Sequence, residues 1–176
     1  MSLRDAMNAI QAWAAAESAL TAIWRPPPKG EEPPRPYLTL ESVVTSKVGG
    51  TPYRTAPDAS GESVVLREIE FTVSITYLGD TENPDPREPG LALEELAGSL
   101  ELGSVLESLA ASDVAIREVN PVNAIPALTG ARYEPRATLD VRLAVALEYS
   151  DNPGFVERVI GSGDVNDNTF NFDVEV

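Results

Sequence analysis

The stretch that most constrains this chain runs from Ala137 to Tyr149. Ala137, Leu139, Val141, Leu143, Val145, Leu147 and Tyr149 alternate with Thr138, Asp140, Arg142, Ala144, Ala146 and Glu148. Side chains of an extended chain point to opposite faces in turn, so strict period-two alternation marks a long strand with one buried face. Asp151-Asn152-Pro153-Gly154 follows. Pro at the second turn position fixes φ and Gly at the third accepts a positive φ, which predicts a type II turn. Phe155 to Ile160 is expected to return antiparallel. This hairpin carries no catalytic group, so it reads as a scaffold and an assembly surface.

The remaining elements are arranged around it. Ser2 to Trp24 has apolar residues at helical spacing (Leu3, Met7, Ile10, Ala14, Leu20, Trp24), with Ser2 as N-cap and Asp5 three residues on. The prolines at 26–28 must end that helix. Arg25 to Pro36 is a stiff connector with polyproline character, either a ligand for a proline-binding module or a spacer. Tyr37 to Val48 reads as a strand with Leu38 and Leu40 facing in. Gly49 to Gly61 reads as a long mobile loop. Glu62 to Leu78 is a second long strand, with Ile69, Phe71, Val73, Ile75 and Tyr77 inward. An acidic, proline-rich loop fills 79–90. Leu91 to Ala111 reads as helix, striped by Leu93, Leu96, Ala97 and Leu100 and broken at Gly103, with Val105, Leu106, Leu109 and Ala110 opening a second helix. Val114–Val119 is a short strand, Pro121–Gly130 an irregular link, and Thr169–Val176 a final strand.

Single helices between runs of strands predict an α+β fold. A mainly antiparallel sheet is flanked by an N-terminal helix and a central helix pair, with long projecting hairpin loops. One domain over 1–176 is expected: helix 2–24, connector 25–36 and an α+β body over 37–176.

Composition narrows the chemistry. The chain has no Cys and no His, which removes disulfides, thiolate chemistry, the common zinc sets and His-based triads. With 28 acidic against 13 basic residues the net charge is −15. Nucleic-acid grip needs cations to displace counterions, whereas an acidic wall repels phosphate and lets DNA pass without sticking; solubility is the plainer reading of the same charge. No run approaches the ~18 apolar residues of a membrane helix, and no signal peptide is read at the N-terminus.

Three constellations look functional and are better read as structure. Asp164, Asn166, Asn168 and Glu175 match the ligand spacing of a calcium loop, but Thr169 stands where the sharp turn needs Gly. An Asn/Asp-rich turn is the simpler reading. Gly161-Ser162-Gly163 lacks the third Gly, Lys and following helix of a phosphate loop, so it reads as a bend. Asp140 and Glu148 share a strand face, yet eight residues of extended chain separate them by roughly 26 Å, too far for paired-carboxylate catalysis. Arg132, Arg136 and Arg142 cluster before and within the long strand, where an Arg can bind a carboxylate bidentately, within the chain or across copies. Trp13 and Trp24 fit a core role.

The order of motifs resembles a known family. An Arg-aromatic-x-Pro-Arg segment leads into a long Leu-Asp-x-Arg strand, a short Asp-x-x-Gly turn and a Val-Glu-x-Val strand, in ARYEPRATLDVRLAVALEYSDNPGFVERVIGSG. Upstream, PYLTL follows a proline-rich connector and an N-terminal helix ending near Trp-Arg. Together these resemble tailed-bacteriophage neck (tail) terminator proteins over most of the chain. The resemblance implies a structural virion protein, not an enzyme, with no cofactor, no metal and no membrane partner. It implies a homo-hexameric ring that caps the tail tube, stops tail polymerisation and joins the tail to the head–neck connector, with DNA passing through the lumen. Partners would be the tail tube protein, the sheath and the connector proteins, and the location the virion neck, with assembly in the host cytoplasm. Arg136, Asp140 and Arg142 are candidate subunit-interface residues; Tyr53, Arg54 and Asp58 are candidates for a partner-contact loop. Two other readings stand beside it: a head–tail connector or tail-tube subunit, and a carboxylate- or metal-dependent enzyme.

Overall fold

The computed structural model describes residues 2–25, 32–56, 58, 61–80, 82, 85, 87–125, 127–129, 132–151, 158–165 and 168–175. Along them the chain forms α1 (Leu3–Ser18), β1 (Thr21–Trp24), β2 (Tyr37–Arg54), β3 (Ser63–Leu78), α2 (Glu88–Ser99), α3 (Gly103–Ala110), β4 (Val114–Val119), β5 (Asn123–Ala124), β6 (Ala127–Thr129), β7 (Arg132–Glu134), β8 (Arg136–Asp151), β9 (Arg158–Val165) and β10 (Asn168–Glu175). The main sheet has the order β1–β2–β3–β8–β4, with β5 also pairing β8. β1 runs parallel to β2, while β4 and β5 run antiparallel to β8. β6 with β7 and β9 with β10 form separate antiparallel pairs. The fold is α+β with a mostly antiparallel mixed sheet, as the pattern predicts. The described chain gathers into two compact units, Met1–Pro52 with Arg67–Glu148 and Tyr53–Leu66 with Tyr149–Val176.

In the larger unit one sheet face is sealed by helices. Phe71, Val73, Ile75 and Tyr77 of β3 and the odd-numbered residues Ala137 to Leu147 of β8 are buried, as the alternation requires. They join Leu38 and Leu40 of β2, Ile10, Trp13 and Ala14 of α1, Leu93 and Leu96 of α2, and Val105 and Leu109 of α3 in one core. Each fully buried Val, Leu, Ile or Phe side chain contributes about 1.5–3 kcal/mol, so this face fixes which way β8 points. Trp13 satisfies its indole by donating to Ser99 Oγ at 3.1 Å, and Ser99 donates in turn to the Leu96 carbonyl.

The N-terminal helix is shorter than the expected 2–24. Ser2 caps it, and Asp5 closes a capping box, with the Ser2 hydroxyl and backbone holding the Asp5 carboxyl below its usual pKa. The helix ends at Ser18, where Ala19 turns left-handed with φ 55°. Thr21–Trp24 then gains a parallel ladder with Tyr37–Leu40. The β-branched and aromatic residues there suit a strand; Trp24 packs against the core from it, and Leu20 from the residue before it.

Other boundaries also moved. β2 continues through Gly49 and Gly50 to Arg54, so the expected loop 49–61 shrinks to 55–62. α2 starts at Glu88, inside the expected loop 79–90, with Pro at its first turn, where a missing N–H costs nothing. Gly103 opens α3 instead of breaking a helix; the break is at 100–102. The link 121–130 contains β5 and β6. Tyr149, placed on the buried face of the long strand by its spacing, is 50% exposed.

In the smaller unit, Thr55 N–H donates to the Val64 carbonyl and Val64 N–H to Thr55 Oγ1, closing the β2–β3 connection. Asp58 N–H donates to the Glu62 carbonyl, and Gly61 N–H to the Asp58 carbonyl. Gly61 has φ 81°, a conformation that residues with a Cβ rarely adopt. The expected turn at 151–154 lies, past Asp151, outside the described residues. Arg158–Ile160, expected to return along β8, pairs with β10 instead, in a register running from Arg158↔Glu175 to Val165↔Asn168. Gly161-Ser162-Gly163 is strand, not a bend. Asp164, Asn168 and Glu175 sit on this hairpin, where a calcium loop would need flanking helices.

Candidate functional site

The face of β3, β8 and β4 opposite the helices is polar, and its composition follows from strand alternation. β3 contributes Glu68, Glu70, Thr72, Ser74 and Thr76; β8 contributes Thr138, Asp140, Arg142, Ala144 and Ala146. β4 would place Arg117 and Glu118 on opposite faces, but its register with β8 slips between Ile116 and Glu118. Such a bulge sets two residues against one on the partner strand. It brings both Arg117 and Glu118 to the open face.

The bulge organises the charges. Arg142 Nη2 lies 2.9 Å from Glu118 Oε2. Arg117 pairs with Glu68, and its Nε lies 3.6 Å from Glu70 Oε1. β8 separates β4 from β3, so Arg117 must cross it. The short side chains of Ala144 and Ala146 on β8 leave room for it, and Ala144 is 3% exposed. Asp140 accepts the Asn120 N–H at its backbone carbonyl. Its Oδ1 is buried without a hydrogen-bond partner among the described residues.

A second ionic cluster lies at the root of β8. Glu134 is 5% exposed. Its Oε1 lies 2.6 Å from Arg35 Nη1 and 3.0 Å from Arg136 Nη2. Burial pushes its carboxyl pKa up, but hydrogen bonds from Arg136 and Arg35 pull harder, and the net shift is downward. Gly79 N–H donates to the Pro135 carbonyl at 2.9 Å. The cluster thus ties the end of the proline-rich connector, the end of β3 and the start of β8 together. Nearby Tyr77 donates to Glu88 Oε1 at 2.8 Å, and burial, then Glu88, push its phenol pKa up.

The candidate interface residues therefore separate. Arg142 is half exposed on the open face, paired to Glu118. Asp140 shares that face, partly buried. Arg136 is engaged within the chain by Glu134. In the smaller unit Tyr53 is 65% exposed at the end of β2. Arg54 pairs with Asp151 at 3.1 Å, and Asp58 holds the connecting turn, its Oδ1 accepting from Glu62 N–H. Tyr53 and Arg54 are strand residues, not loop residues. Sequence reasoning missed Arg35, Glu134, Arg117, Glu68 and Glu70. The Glu68-x-Glu70 spacing was a readable signal for one face; the bulge that turns Arg117 toward it was not. Among the described residues no group of three or more Asp or Glu could hold a metal ion, and no helix is long and apolar enough to cross a membrane.

What this geometry defines is a protein of the α+β class, one sheet face sealed by helices and the other laid open with paired charges. A family model described as phage neck terminator protein matches residues 3–169, and the chain belongs to that family. It is a structural family of bacteriophages, so the chain is a component of the phage neck and associates with other neck and tail proteins. No curated protein matches the chain.

Proposed function

We propose that residues 1–176 act as one terminator subunit in a hexameric ring at the head-proximal end of the tail. The ring caps the tube, ends its polymerisation and docks the tail to the head–neck connector, with genomic DNA passing through the lumen. The observation that carries this reading is the family match over nearly the whole chain. The net charge of −15 supports the conduit part, because acidic walls repel phosphate. The open face of β3, β8 and β4, with Asp140, Arg142 and Glu118, supplies contacts between copies. Tyr53, Arg54 and Asp58 supply contacts to tube, sheath or connector. The protein performs no catalysis and needs no cofactor, and it assembles in the host cytoplasm before residing in the virion.

Mass photometry and negative-stain imaging across a concentration series test this, first alone and then with purified tail tubes. Closed six-fold rings, alone or on tube ends, are expected. Open filaments would replace the reading with a tube subunit. A protein that stays monomeric and leaves tube ends bare would overturn it.

A further inference from the structure

The β9–β10 hairpin of the smaller unit is a two-stranded sheet with two unlike faces. Cross-strand partners share a face, so the register sets Phe170, Phe172 and Val174 with Gly163, Gly161 and Val159 on one of them. The charged residues Arg158, Asp164, Asp173 and Glu175 all fall on the other. A lone two-stranded hairpin is marginal in water unless its apolar face is covered. At roughly 40 residues, the unit sits near the size below which a core needs a disulfide, a metal or a partner chain. The chain has no Cys, and among the described residues no acidic group can hold a metal. Tyr53, Leu66 and Tyr149 of the same unit are 65%, 39% and 50% exposed, so they form no closed core. A partner chain is what remains.

In the larger unit, α3 leaves an apolar side open. Val105 and Leu109 bury its other side in the core. Leu102 and Leu106 lie one turn apart, the Leu106 N–H donating to the Leu102 carbonyl at 3.0 Å. They are 51% and 41% exposed, and Ala110, a further turn on, is exposed as well. Glu107 is the one charge within α3, and a helix apolar on two sides is normally covered on both. The chain around it is acidic: from Glu88 to Ile116 there are six acids and no Lys or Arg. The hairpin's charged face, three acids to one Arg, is repelled there, whereas its charge-free face is not.

From these two open surfaces we infer that the apolar face of one copy's β9–β10 hairpin packs on the Leu102–Leu106–Ala110 stripe of a second copy. Every copy carries one of each surface, and the two are unlike, so the contact is head-to-tail. Such a contact repeats from copy to copy and closes into a ring when its rotation divides a full turn. Pairing hairpin face to hairpin face is isologous and stops at two copies. The inference rests on the ring reading and names the contact that joins the ring.

Disulfide trapping tests it, since a chain without Cys gives no background and a disulfide forms only between residues in close contact. Phe172→Cys and Leu106→Cys chains are purified separately, mixed, assembled alone or on purified tail tubes, and oxidised. A two-chain product is expected from the mixture and from neither variant by itself. A chain carrying both substitutions should give a ladder of linked copies. Leu106→Glu should melt as the parent does but lower ring yield about tenfold or more, because it buries an unpaired carboxylate in the contact. Four outcomes overturn the inference while rings still form: linkage of Phe172→Cys to itself, a doubly substituted chain linked only within itself, rings without any linkage, or full ring yield in Leu106→Glu. Absence of rings from the parent chain, both alone and on tubes, would overturn the ring reading, and the inference with it.

Discussion

Two ionic regions of the larger unit use the same residue types and differ in burial. At the root of β8, the Glu134 side chain is 7% exposed and held by Arg35 and Arg136. On the open sheet face, Arg142 and Glu118 pair with their side chains about half exposed. Water has been stripped from the first carboxylate, so removing its partners leaves an uncompensated charge. The second pair trades one solvated state for another and is worth about 0–1 kcal/mol. The first therefore belongs to the fold. The second costs little to break, which leaves it available to a partner.

The apolar face of β8 sets the scale for that comparison. Leu139→Ala, at 0% exposure in the core, should cost about 2–5 kcal/mol in urea unfolding followed by tryptophan fluorescence. Less is expected at the buried cluster. Glu134→Gln should cost about 1–3 kcal/mol, because Arg35 and Arg136 lose a charged acceptor. Its pH signature is specific. The folded-state pKa of Glu134 lies below the usual value, so its stabilisation is fully present above the unfolded carboxylate pKa. It is lost as pH falls through the folded value. Unfolding curves collected from neutral to acidic pH should show Glu134→Gln losing less stability than the parent on acidification. An equal acid slope in both proteins would mean that Glu134 is no more stabilised than the open-face acids.

Gly79→Ala probes the same junction through packing. An added Cβ would meet the Pro135 ring and carbonyl at 3.0 Å, and such overpacking costs about 1–3 kcal/mol. The smallest effect belongs to Arg142→Ala, at most about 1 kcal/mol on the isolated chain and smaller still in high salt. If the open face joins copies, the same substitution should lower ring yield in mass photometry far more than it lowers stability. A large stability loss with unchanged assembly would reverse the contrast between the two regions.

The long strands were readable because burial on one face imposes a period on the residues themselves. Leu139, Val141, Leu143, Phe71, Val73 and Ile75 all face as their spacing requires. The capping box at Ser2 and Asp5 was readable for a similar reason, since its chemistry is local. Boundaries that depend on a partner strand were not. Thr21–Trp24 continues a helical pattern and becomes strand only because Tyr37–Leu40 lies beside it. Tyr149 keeps the alternation of β8, yet is half exposed, since alternation tells which side a residue faces and not whether anything covers it.

The ionic sites divide in the same way. Arg136, Asp140 and Arg142 could be placed on one strand face from sequence, because they lie within one element. The partners that decide their roles come from elsewhere: Glu134 and Arg35 converge on Arg136's surroundings from a short strand and the end of the connector, and Glu118 reaches Arg142 through a bulge. The sequence alone determined the α+β class, the inward rows and the motif order that points to the neck terminator family. Only the tertiary structure decided which charges are buried and which lie open, because burial belongs to chain segments that meet in space, far apart in sequence.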